Sequence, residues 1–393
     1  MDMTDVTRWI AEHATATDDH ETLLARFCDA LIGAGVPLWR VSVMTPAIDP
    51  TMRGVSLNWH AGEGLSFVAN PHGAKQESDW LLSPIYALLE RNETFGRWRL
   101  DGPGSEPDFP ILRTLQAEGG SDYAVHIVGF APGTALRGVA VSFCNRAAGG
   151  FTDAHLAAMA ALLPFLSLAV AKIGLANTLR EVSATYLGRS TAERVLDGQI
   201  LRGKGRAVPA AILLADLRGF TALSDRADPY DMVTWLNEHF DALGDPVTRH
   251  GGEILKFLGD GFLAIFPVPD ADILPCPVCG NALDAATEAL AANAALNARR
   301  RAAGLPELAA DCVVHFGSVM YGNVGTGRRL DFTIIGRAVN EASRIESHCE
   351  ALGHALLVSE TFAERCARPL QPVGTVELRG LARPQRVWTL PAA

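Results

Sequence analysis

Between Glu253 and Phe266 two strand-like runs meet at Gly259-Asp260-Gly261, and this hairpin restricts the available folds more than any other stretch of the chain. The runs require paired strands with buried faces, and Asp-Gly at the reversal supplies the backbone angles of a tight turn. Any fold must therefore set Asp260 at the tip of an antiparallel pair, with Lys256 four residues back on the first strand. Only four of the 34 basic residues are lysines (Lys75, Lys172, Lys204 and Lys256), so a lysine beside such a turn carries unusual information.

Two further segments carry polar groups in suggestive places. Ala210 to Asp216 is an apolar run ending in a carboxylate, and Leu217-Arg218-Gly219-Phe220-Thr221 leads from it into a helix. An acid there can hold a hard cation, and the N–H groups of Gly219, Phe220 and Thr221 can face phosphate. Alone, such an acid is common in α/β proteins, and an Asp-Gly turn is usually only a turn. Brought together, Asp216 and Asp260 could hold a metal pair beneath a triphosphate. Downstream, strand-like Val314 to Gly325 is followed by Arg329-Leu330-Asp331-Phe332-Thr333 and a predicted helix on which Asn340 and Arg344, four apart, share one face. Taken singly these two are a surface amide and a surface arginine.

A chain of 393 residues predicts two or three domains at roughly 150 residues each. With 48% hydrophobic and 20% charged residues, a disordered, collagen-like or purely coiled-coil protein is excluded. A formal charge of -10 argues against a nucleic-acid partner. Seven cysteines without the spacing of a disulfide scaffold, and an acidic N-terminus in place of a basic, then apolar, leader, predict a cytoplasmic protein. The most apolar stretch, Leu156 to Ala171, falls short of the roughly twenty residues that cross a bilayer. A buried or dimer-forming helix is expected there, and no membrane span.

The expected organisation is α+β. Residues 1–150 predict an antiparallel sheet with flanking helices: a helix over Glu21 to Ala34, and strands over Trp39 to Met44, Gly54 to His60, Tyr123 to Phe130 and Gly138 to Cys144. Trp9, Trp39, Trp59, Trp80 and Trp98 supply large apolar surface for a core or a ligand pocket. Phe151-Thr152-Asp153 predicts a helix start, and residues 151–204 a connecting dimerisation helix and linker with Gly174 as its weak point and a basic turn at Gly203-Lys204-Gly205. A strand, Phe-Thr-Asp and a long helix resemble the end of a GAF sensor domain, which implies regulation by an unknown small-molecule or protein signal. A PAS-like or unrelated α+β sensor fits the same pattern.

From residue 205 to 393 the order becomes strand, helix, hairpin, helix, strand. Six polar positions in order make this region resemble the catalytic domain of class III nucleotidyl cyclases, which implies a ferredoxin-like fold, a homodimer and ATP as substrate. The resemblance implies two Mg²⁺ or Mn²⁺ ions per site on Asp216, Asp260 and the Leu217 carbonyl. It gives Lys256 and Asp331 to the adenine, and Asn340 and Arg344 to the ribose and the transition state. Val376-Glu377-Leu378-Arg379-Gly380 resembles the closing segment, with Arg379 in a triphosphate-binding place usually held by lysine. Adenine offers an amine to a carboxylate and a ring nitrogen to an ammonium, whereas the guanine carbonyl would face Asp331 as a second acceptor. A guanylate cyclase and an inactive nucleotide-binding module are the alternatives. Arg337 and Ser343 depart from the usual family pattern outside the six positions. Cys276-Pro277-Val278-Cys279, within Pro269 to Asn281, is half of a zinc knuckle, a redox-sensing pair or an ordinary surface loop.

Overall fold

The computed structural model describes residues 3–47, 51–102, 108–131, 136–203, 205–269, 272–381 and 383–391. The chain divides into two compact units, Met1–Val182 and Ser183–Ala393.

In the first unit β1 (Arg40–Pro46), β2 (Met52–His60), β3 (Gly64–Pro71), β4 (Phe95–Arg99), β5 (Asp122–Gly129) and β6 (Gly138–Asn145) form one antiparallel sheet in the order β3-β2-β1-β6-β5-β4. Side chains alternate across it, so each face has its own core. Val41 and Phe143 pack with Ile10, Phe27 and Leu162 under the helices Met3–Ala16, His20–Gly33 and Asp153–Leu187. Tyr123 and Val125 pack with Ile85, Leu112 and Leu115 under the short helices Pro84–Glu90 and Pro110–Ala117. The five tryptophans join these two cores.

Asp153–Leu187 is a single helix of 35 residues, continuous through Pro164 and Gly174. By length and composition it could cross a membrane, which corrects the expectation of a stretch too short to do so. One face, carrying Met159, Leu162, Leu166 and Ile173, belongs to the first unit's core. The helix expected within the connecting stretch 151–204 thus packs one face into the core of the N-terminal unit. Lys204, in the middle of the expected basic turn, lies outside the described residues.

The second unit is built on β7 (Gly205–Leu217), β8 (Glu253–Leu258), β9 (Gly261–Pro267), β10 (Ala310–Gly325), β11 (Leu330–Ile335), β12 (Leu356–Ser359), β13 (Gln371–Val376) and β14 (Gln385–Thr389). Their order is β13-β14-β12-β10-β7-β9-β8, with β11 paired to β10. The sheet is mixed: β10 and β12 run parallel while β7 is antiparallel to both of its neighbours. β7 reads as an unbroken apolar run because both its faces are covered. Ala211, Leu213 and Ala215 meet Leu243, Val247 and Leu283 of the helices Pro229–Arg249 and Pro277–Ala302. Ala210, Ile212 and Leu214 meet Ala338, Ala342 and Ile345 of the helix Arg337–Glu346.

The cysteine pair does not lie in an exposed surface loop. Cys276 precedes the first residue of the helix Pro277–Ala302 and Cys279 lies in its first turn. Both are core side chains, 2% and 0% exposed. Burial pushes the Cys279 thiol far above its usual range, as expected for a protonated thiol in an apolar core. Among the described residues no group of three or more His, Cys, Asp or Glu side chains is placed to hold a metal.

Candidate active site

The tight hairpin turn is seated against the end of β7. Gly259 takes φ +73°, which only glycine adopts without strain. Gly261 begins β9 so close to β7 that an added Cβ would lie 2.4 Å from the Ala215 carbonyl oxygen and 2.5 Å from Asp216 Oδ1. Two glycines around Asp260 therefore bring the hairpin tip onto Asp216. Asp216 is pushed up to about 6, first by burial and then by the charge of Asp260, with Asp311 adding to it. Burial also raises Asp260. Asp311, opposite Asp216 on β10, is engaged by Arg218, whose Nε donates to Oδ2 at 3.0 Å.

Sequence reasoning missed Asp311, Arg218 and Glu346. Glu346, at the end of the helix that carries Asn340 and Arg344, is pushed up to about 7 by burial and by the charges of Asp216, Asp311 and Asp260. Its position two residues beyond Arg344 was visible, but its approach to Asp216 depends on how the helix lies under the sheet. The charges acting on Asp216 are thus all negative. Two carboxylates raised by burial, Asp216 also by the charge of Asp260, suit a divalent cation, whose remaining ligands would come from a backbone carbonyl, water and substrate phosphates. The Leu217 side chain is buried, and its backbone N–H hydrogen-bonds Asp216. Gly219 at φ +73° then turns the chain into the short helix Phe220–Ser224, which leaves Thr221 exposed and Phe220 half-buried.

Lys256 and Asp331, 75 residues apart, meet in an ion pair at 2.5 Å. A bulge in β8 between Ile254 and Lys256 breaks strict alternation, so that Leu255 is buried and Lys256 points to solvent. Asp331 reaches the same place from β11, where it pairs with Val324 of β10. Both side chains are about half exposed, 43% and 52%, and such a pair contributes only ~0–1 kcal/mol to folding. It presents an ammonium and a carboxylate side by side, a donor and an acceptor for a planar polar edge.

The helix Arg337–Glu346 buries Ala338, Ala342 and Ile345 and leaves Asn340 exposed and Arg344 half-buried. Its departures from the family pattern lie away from this face or bind within the helix: Arg337 Nε donates to Glu341 Oε1 at 2.5 Å, and Ser343 is exposed. Glu341 also approaches His315 of β10, Oε2 to Nε2 3.6 Å, too far for a hydrogen bond, and burial lowers the pKa of His315 to about 4. The closing segment reaches the same face. A Cβ on Gly380 would sit 3.7 Å from Arg344 Nη1, which places the turn bearing exposed Arg379 against the guanidinium.

Residues 204–390 match the family described as Adenylate and Guanylate cyclase catalytic domain. Adenylate cyclase 1 of Rhizobium meliloti is 32% identical over 170 residues, covering 43% of this chain and 25% of that protein. The adenylate cyclase of Anabaena cylindrica is 33% identical over 162 residues, 40% of this chain and 31% of its own length. The chain thus spans about a quarter to a third of these relatives. Among solved structures, the adenylyl cyclase CyaB from P. aeruginosa is 25% identical with a TM-score of 0.44, covering 48% of this chain and 97% of that one.

Proposed function

Residues 204–390 belong to the adenylate and guanylate cyclase catalytic domain family, and from that premise we propose that the protein is an adenylate cyclase, converting ATP to 3′,5′-cyclic AMP and pyrophosphate at a site shared by two copies of the chain. The observation that carries the choice of base is the Lys256–Asp331 pair. Its carboxylate accepts from the adenine amine and its ammonium donates to a ring nitrogen, while a guanine carbonyl in the same place would oppose the carboxylate.

Asp216, Asp260 and the Leu217 carbonyl would hold two Mg²⁺ or Mn²⁺ ions, which when bound neutralise the phosphates and favour ionisation of the ribose 3′-hydroxyl. The N–H groups of Gly219, Phe220 and Thr221 face the triphosphate. Asn340 orients the ribose so that its 3′-oxygen lies in line with the α-phosphorus. That oxygen forms the new P–O bond as the bond to pyrophosphate breaks, the hydroxyl proton passing to water. Arg344, braced by the turn at Arg379-Gly380, meets the charge that develops on the phosphoryl oxygens. No side chain acts as a nucleophile.

Two features support a dimer. Phe257, Leu330 and Ile335, 55%, 39% and 48% exposed, surround Lys256 and Asp331 with apolar surface that a second copy would cover. On the long helix Phe165, Leu168, Leu175, Leu179 and Tyr186 are also exposed, at intervals of a coiled-coil seam. Lys172, which falls within that seam, binds Asp18 Oδ1 at 2.6 Å. The antiparallel sheet and helix layers of the N-terminal unit are read as a GAF-like regulatory module. Specificity constants for ATP and GTP, measured with Mg²⁺ and with Mn²⁺, test the substrate. ATP should be preferred, and Lys256→Glu with Asp331→Cys should move the ratio toward GTP. An unmoved ratio would mean that the pair does not touch the base.

A further inference from the structure

Protein cores are close-packed, yet the N-terminal unit contains a cavity of about 410 Å³, within the roughly 300–1,000 Å³ of small-molecule sites. It lies between β1, β2, the helix His20–Gly33 and the helix Asp153–Leu187, with walls that include Leu24, Val43, Leu57, Leu166 and Val170. Gly174, the predicted weak point of the long helix, has a structural use here. A Cβ at this position would lie 2.7 Å from Leu136 Cδ1, so the glycine lets a lining leucine approach the helix backbone and shape one wall. None of the tryptophans is among the described lining residues, so the rings expected to serve either a core or a pocket serve the core.

The polar groups at the cavity restrict what it can take. They are His20, Thr45, Asn177, Thr178 and Glu181, and Glu181 is the only carboxylate among the described lining residues. The cations of the same helix are already committed: Lys172 and Arg180 both bind Asp18. Asn177 Oδ1 accepts from Arg180 Nη1 at 2.9 Å, which leaves its N–H₂ group and the two threonine hydroxyls to serve a ligand oxygen. A carboxylate ligand would meet Glu181 without a compensating lysine or arginine, and a strongly polar one would be desolvated against aliphatic walls.

We propose that this cavity binds an uncharged, mostly apolar small molecule carrying a single hydroxyl or carbonyl group, with its apolar body between the long helix and β1–β2 and its oxygen toward Thr45, Asn177 and Thr178. Nothing in this assignment requires the catalytic reading, and the test uses fluorescence rather than turnover, so failure of either leaves the other standing. The full-length protein is titrated with N-phenyl-1-naphthylamine, and the bound dye is displaced with 1-decanol or with decanoate. Saturable one-to-one binding is expected, with decanol displacing at about a tenth of the decanoate concentration or less. Val170→Trp fills the cavity and should weaken dye binding about tenfold or more while the protein still melts cooperatively. Glu181→Lys should bring decanoate level with decanol. Unsaturable dye binding, equal displacement by the two compounds in the wild type, or full affinity in folded Val170→Trp would overturn the proposal. If Val170→Trp does not fold, Glu181→Lys decides, and an unchanged preference there overturns it equally.

Discussion

A carboxyl whose pKa rises on folding binds its proton more tightly in the native state, so Asp216, pushed up to about 6, costs stability as pH climbs from about 4 through 6. The cost is the electrostatic demand that a divalent cation would meet. Asp216→Asn and Asp260→Asn should each reduce cyclic AMP formation at least about a hundredfold. Without divalent ions at pH 7.5, Asp216→Asn should nevertheless melt at or above the wild-type temperature. Unchanged turnover in both variants would remove the metal role, and a marked drop in melting temperature for Asp216→Asn would show that its carboxylate is structural. Gly261→Ala makes the complementary change, leaving every charge in place while forcing a methyl into the Ala215 carbonyl and Asp216. It should cost about 1–3 kcal/mol and lower turnover by displacing the Asp260 turn. Denaturant unfolding together with the cyclase assay reads both effects, and wild-type values in both would refute the close seating.

Among the elements, the helix Pro229–Arg249 carries a titratable residue on its buried side. His239 is fully buried with neither ring nitrogen hydrogen-bonded, and desolvation lowers its pKa to about 4. The unfolded state therefore gains this proton near pH 6.5 and the native state only near 4. The stability that neutral His239 supports is complete above about pH 6.5 and is lost as pH falls toward 4, by about 3 kcal/mol in all. His239→Leu should flatten that part of the pH–stability curve, as measured by urea unfolding between pH 4 and 8. A curve parallel to the wild type would assign the dependence elsewhere. Elements with both faces buried, or with a turn marked by glycine, were the legible ones: β7, the glycine turn of the β8–β9 hairpin and the helix bearing Asn340 and Arg344 follow their patterns, whereas the bulge in β8 was not visible. β3 was not legible because most of its residues are exposed, Phe67 and Val68 on successive positions included, so no alternation marks it. Short β4 and the small helices around it are equally weak as patterns, though their core residues Ile85, Leu88 and Leu112 are buried. Cys276 and Cys279 misled in the opposite direction. Their spacing matches half a metal site, and only packing reveals them as the start of a core helix. Asp311 and Glu346 acquire meaning from cross-strand register and helix placement, neither of which a single chain of letters contains.

At the scale of the whole molecule, the proposed cyclase dimer would carry two half-sites on each chain and join them across a two-fold axis. Asp216 and Asp260 sit at the end of β7 and the tip of the hairpin. In the proposed dimer Lys256, Asp331, Asn340 and Arg344 would supply the other half, near the exposed apolar side chains Phe257, Leu330 and Ile335. A homodimer presents each half twice and so builds two equivalent sites. Asp216→Ala and Asn340→Ala homodimers should each be inactive, because every site in them lacks one half. In a mixed dimer one site carries both defects and the other carries none. Mixing the two proteins in equal amounts, with chain exchange verified by mass-tagged subunits, and assaying cyclic AMP from ATP therefore tests the central claim. About half of the dimers would be mixed, each with one intact site, so activity should recover to about a quarter of wild type. No recovery despite proven exchange would contradict a site shared between two chains.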